Sequence, residues 1–146
     1  MRLTWHGPAT FSREERLAMT ALSEALDIRL REILREDMGG TYGVGVGGGL
    51  WKDPQPGYAF DVSFGCAPEN VDGMIQAVMD EFARVQREGV SEEIVKKVHE
   101  QLVREREVAL ERNGFWASSI LFLRQIDEDV ASIASYRQLL TRSTAR

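Results

Sequence analysis

The junction Arg35-Glu36-Asp37-Met38-Gly39-Gly40-Thr41-Tyr42 constrains this chain more than any other stretch. Before it, Leu22, Leu26, Leu30, Ile33 and Leu34 recur at helical spacing with Arg and Glu between them, the pattern of an amphipathic helix. After it, glycines alternate with Tyr42, Val44 and Val46, the period of a strand. A chain passing from that helix into that strand must reverse direction. Gly39-Gly40 permits the reversal, because glycine takes positive φ at little steric cost. Arg35 then stands on the last helical turn and Tyr42 on the first strand residues, and their polar tips are expected to meet at one end of a sheet.

Around this junction the elements follow in order. Leu3 and Trp5 alternate with Arg2 and Thr4, predicting a short strand over Met1–His6 that Gly7-Pro8 ends. Ser12-Arg13-Glu14-Glu15 is a capping box, and the helix it opens is expected to run to about Met38. Thr41–Leu50 is a strand with Thr41, Gly43, Gly45 and Gly47 on one face. A glycine face calls for close approach by another backbone or a helix, so a helix or partner backbone is expected to cover it. Asp53-Pro54-Gln55-Pro56-Gly57 is a turn and Tyr58–Cys66 a second strand, the pair forming an antiparallel hairpin. Pro68-Glu69 opens a helix whose buried stripe is Val71, Met74, Ile75, Val78, Phe82 and Val85, and Gly89 closes it. Ser91 caps a third helix with Ile94, Val95, Val98 and Leu102 inward, and Arg104-Glu105-Arg106-Glu107 reads as its solvated face. Asn113-Gly114 and Asp127-Glu128-Asp129 interrupt two further helical patterns, Phe115–Ile126 and Val130–Leu140; Thr141–Arg146 carries no packing signal.

The 146 residues fit one domain, 1–146, with a core of its own. A formal net charge of −5 gives no nucleic-acid footprint. Cys66 is the single cysteine, so neither an internal disulfide nor a thiolate metal cluster can form. No apolar run reaches the roughly 18 residues of a membrane span. The chain is expected to be soluble, and the sequence leaves its compartment open between bacterial periplasm and cytoplasm.

Gly43, Gly45 and Gly48 formally satisfy G-x-G-x-x-G, but a dinucleotide site needs a helix immediately after that motif, and here a turn and a strand follow. His99-Glu100 suggests zinc, yet Val103 stands where H-E-x-x-H needs its second histidine, and H-x-x-E-H is absent. With only His6 and His99 in the chain, a three-ligand zinc site would need another chain or domain. Cys66 falls on the apolar face of its strand, as a small buried hydrophobe does. By chemistry alone, Arg35 can offset a helix dipole and Tyr42 can be a rim aromatic.

Leu34-Arg35-Glu36-Asp37-Met38-Gly39-Gly40-Thr41-Tyr42-Gly43-Val44 resembles the helix-to-strand signature in the C-terminal half of pitrilysin/insulinase-type (M16) zinc metallopeptidases. Cys66-Ala67-Pro68-Glu69-Asn70-Val71 and Gly89-Val90-Ser91-Glu92-Glu93-Ile94 resemble the family's next helix starts, and Asn113-Gly114-Phe115-Trp116-Ala117 its later helix break. The similarity covers roughly Trp5 to Asp129.

The resemblance implies an α+β domain, an antiparallel sheet covered on one face by helices, as part of an M16 metallohydrolase that ends before the last strand usual for such a domain. It implies peptide-bond hydrolysis by a zinc-activated water, with the zinc and its H-x-x-E-H motif in an N-terminal catalytic half or subunit that is this chain's partner. It assigns Arg35 and Tyr42, seven positions apart, to peptide binding, and Tyr42 also to support of the transition state. No metal ligand is implied in this chain, which is expected to be inactive alone. Two rival readings stand beside it: a non-catalytic M16-like structural or regulatory assembly module, and an unrelated ferredoxin-like α+β fold that binds small molecules.

Overall fold

Ser12 starts the first helix as the capping box predicts, its Oγ accepting the Glu15 N–H at 3.1 Å. Helix α1 runs over Arg13–Arg31 and passes into a wider, π-helical turn over Glu32–Asp37. The spacing predicts one α-helix to about Met38; the last turn is instead closed by a five-residue bond, Met38 N–H to Ile33 O at 3.1 Å. Gly39 then takes φ +60° and reverses the chain. The structure, a computed structural model, describes residues 1–39, 41 and 43–143. These form two compact units, Met1–Val95 and Lys96–Arg146.

In the first unit, strands β1 (Arg2–Pro8), β2 (Val44–Trp51) and β3 (Gly57–Phe64) make an antiparallel sheet in the order β1-β3-β2. Arg2 lies opposite Ser63 and Val44 opposite Phe64. A short 3₁₀ turn at Pro68–Asn70 leads into α2 (Val71–Glu88), which Gly89 ends at φ +76°. Helices cover one face of the sheet. Leu26, Leu30, Leu34, Met74 and Val78 pack with Phe60, Val62 and Phe64 in one core, flanked by Leu3, Trp5, Val44 and Val46. The Phe82 ring lies 4.7 Å from Trp5 and 5.8 Å, edge-on, from Phe60. The two helices are joined at Glu81, a buried carboxylate that accepts from Arg29 at 3.1 Å and from Arg84 at 2.7 and 2.9 Å.

The opposite face is polar and bare. Asp61 accepts from Arg2 Nε at 2.9 Å and from Thr4 Oγ1 at 2.6 Å, bonds that hold its carboxyl below the ordinary value. Beside it Gly45, Gly47 and Gly49 are exposed. A Cβ at Gly47 or Gly49 would meet open space, and one at Gly45 only the Ser63 hydroxyl at 3.0 Å. Within the described residues, the tightest approach to a β2 glycine is on the other face. It is at Gly48, whose added Cβ would lie 2.4 Å from Met19 Sδ and 2.7 Å from Phe60 Cδ2. Strand parity explains this: Gly48 shares its face with Val44 and Val46, against α1.

Helix α3 (Glu92–Leu110) begins at Ser91 and contains the boundary between the units. The second unit adds α4 (Asn113–Gln125), a 3₁₀ turn at Val130–Ser135 and α5 (Tyr136–Ser143), so Thr141 belongs to a helix. Asp127 breaks the chain after α4 at φ 59°. Asp129 caps the following turn, its Oδ1 accepting from Ala131 N–H at 3.0 Å. Arg104, Glu105 and Glu107 are exposed as a solvated face should be, but Arg106 is not. Its guanidinium lies over the Phe115 ring at 4.5 Å and the Tyr136 ring at 4.6 Å, and donates to Ile133 O at 2.9 Å.

Candidate functional site

At the end of the sheet where β2 begins and β3 ends, three places meet: Gly39, Thr41 and Gly43 ahead of β2, Gly65–Ala67 after β3, and Asn70 at the entry to α2. Gly39, Thr41, Gly43, Gly65, Cys66, Ala67 and Asn70 line an open cavity of about 540 Å³ there. Thr41 fixes one wall. It is buried, and its Oγ1 both donates to Gly43 O at 2.9 Å and accepts Gly43 N–H at 3.2 Å. This side chain-to-backbone clasp secures the strand's entry where the ladder has not yet begun.

Arg35 sits on the π-helical turn and is exposed, while its neighbour Leu34 is wholly buried. Its charge is therefore not spent on the core. Tyr42, the other residue expected here, lies outside the described residues. Cys66 is a half-buried free thiol on the cavity wall that also packs against the core. Sequence reasoning singled out Arg35 and missed the Thr41 clasp and the cavity. A Ser/Thr two residues before a glycine at a strand start was the available signal.

The donor set does not fit a zinc ion. His6 is exposed on β1 in the first unit and His99 half-buried on α3 in the second. No group of three His, Cys, Asp or Glu able to hold a metal is found among the described residues. Gly43, Gly45 and Gly48 lead into β3 rather than a helix, so no helix N-terminus is presented to a dinucleotide. No described helix is long and apolar enough to cross a membrane.

Residues 1–102 match the family described as the peptidase M16 inactive domain. The chain belongs to the M16 family. Its match takes in the whole sheet, the π-helical turn and the cavity at their junction. Three solved structures share the M16 chain's fold. The periplasmic protease PqqL from Escherichia coli is similar at TM-score 0.80 and 22% identity, over 97% of this chain and 16% of that one. The ferredoxin protease FusC, solved in complex with Arabidopsis ferredoxin, is similar at TM-score 0.76 and 19% identity, over 98% of this chain and 16% of that one. A protease from Helicobacter pylori gives 0.77 at 12% identity, over 95% and 34%. This M16 chain thus spans 16% of the length of the first two and about a third of the other. A sequence search of curated proteins finds no significant match.

Proposed function

We propose that residues 1–146 act as one C-terminal-type domain that binds the peptide, but not the zinc, in an M16 zinc metallopeptidase. The observation that carries the reading is an exposed Arg35 on the π-helical turn that precedes the cavity-lining Gly39, within a chain of the M16 family. An exposed arginine, with its planar set of N–H donors, suits a peptide carbonyl. Seven positions on, Tyr42 supplies a hydroxyl that donates to the scissile carbonyl oxygen as it gains negative charge. Zinc and the general base belong to a catalytic half, with which this chain closes around the substrate.

The test is to sequence the coding region upstream of Met1 for H-x-x-E-H and to assay both halves, separately and together, on an unstructured peptide mixture. The reading expects cleavage only from the pair. It also expects this chain alone to retain no stoichiometric zinc. Chelator-sensitive cleavage by this chain alone would overturn the reading, as would an intact pair that cleaves nothing.

One observation favours the second reading, an assembly module. On α4, Trp116, Ile120, Leu121 and Phe122 are 40–61% exposed, an apolar surface larger than isolated side chains leave. A pair that associates tightly yet cleaves no peptide would support it.

A further inference from the structure

The helix leading to Arg35 changes type just before it. Leu26, Leu30, Ile33 and Leu34 stand at the i, i+4, i+7 and i+8 positions of an α-helical stripe, and in that phasing they already share one face. Core packing therefore needs no wider turn. Yet Glu32–Asp37 is π-helical, with Met38 N–H reaching back five residues to Ile33 O. Such turns are rare and occur frequently at functional sites. What the turn changes lies downstream of Leu34: the azimuth of Arg35 and the point at which Gly39, at φ +60°, reverses the chain into the cavity wall.

We propose that the π-helical turn Glu32–Asp37 is a positioning device for Arg35. It carries one residue more than an α-helical turn, and that residue sets where the guanidinium stands relative to the peptide. The inference rests on the peptide-binding reading above, and adds to it that the widened turn sets the placement of Arg35.

Removing one residue between Ile33 and Met38 turns the five-residue bond into an ordinary four-residue one. Glu36 is deleted first and, in a second variant, Asp37. Each is compared with Arg35→Ala and with the deletion combined with Arg35→Ala, in this chain for Tm and in the paired peptidase for kcat and KM on an unstructured fluorogenic peptide. The expected result is a Tm no lower than the parent's, a loss in kcat/KM approaching about 10²-fold, as misplacement of a binding group gives, and no further loss when the deletion is added to Arg35→Ala. A purely structural turn would lower Tm and spare turnover per folded molecule, which overturns the proposal. So does a deletion whose loss adds fully to that of Arg35→Ala, or the failure of both deletions to fold. If Arg35→Ala itself leaves kcat/KM unchanged, the peptide-binding reading fails as well, so the two failures are told apart.

Discussion

Arg29 Nε donates to Glu81 Oε1 across 3.1 Å, tying α1 to α2 through a carboxylate that is only 4% exposed. Burial by itself would raise the Glu81 pKa, but the hydrogen bonds from Arg84 and Arg29 outweigh it and hold the group below its ordinary 4.5. A carboxylate depressed in the folded state contributes stability that is present above its unfolded value and lost as pH falls through the folded one. The Tm should therefore fall as pH drops below about 4.5. Glu81→Gln keeps the shape and removes the charge. It should cost about 1–3 kcal/mol at neutral pH and flatten that acid limb. A variant whose Tm tracks the parent's from neutral to acid pH would show that the bridge contributes nothing.

The two neighbouring glycines of β2 should answer oppositely to the same change. Gly48→Val drives methyl groups into Met19 and Phe60 and should cost about 1–3 kcal/mol. At Gly47 the new side chain meets open space, and valine suits a strand, so stability should hold or rise slightly. Urea midpoints of the two variants decide it. Equal losses would mean that both faces of β2 are covered.

Much of this was legible beforehand. Ser12 and Glu15 announced the first helix, the alternation around Phe60 and Val62 gave the hairpin, and Met74 and Val78 lay in the predicted stripe. Each is a local signal, set by residues a few positions apart. Three features were not local. The spacing of Leu30, Ile33 and Leu34 is that of an α-helix, so the widened turn around them left no mark. Gly48 looks like its neighbours until Met19, far back in the chain, is laid over it. Arg106 sits in an alternating charge run, and only the return of Phe115 and Tyr136 makes it a half-buried, stacked cation. At the candidate site, the Thr41 clasp had only the weak local signal of a threonine two residues before a glycine.

Tyr42→Phe tests the proposed chemistry with the least structural change, since it removes one hydroxyl. In the paired peptidase the loss of one preorganised donor should lower kcat by roughly 10²–10³, or about 2.7–4 kcal/mol, with an almost unchanged Tm. A destabilised protein with normal turnover per folded molecule would make Tyr42 structural.

Arg106 is held by two ring faces and a carbonyl, which a lysine ammonium cannot match together because it lacks the planar guanidinium. Each ring contact is worth about 0.5–2 kcal/mol. Arg106→Lys should therefore destabilise by about 1–3 kcal/mol, despite conserving charge. Thermal unfolding of the purified variant measures it, and a Tm equal to the parent's would mean that the stacked arrangement carries no net stability.

The pairing of Arg2 with Ser63 also sets an order in time. The β2–β3 hairpin closes a short turn, whereas β1 must find β3 across α1, the reversal and the hairpin itself. Loop-closure entropy is spent before such a distant pairing yields any contact, so β1 should dock last. Leu3→Ala and Trp5→Ala should then speed unfolding and leave the folding rate nearly unchanged, with φ-values near zero, while hairpin positions such as Val62 score higher. A strand that arrives last is also the strand a second molecule can lend, so refolding at high concentration should yield dimers that have exchanged β1.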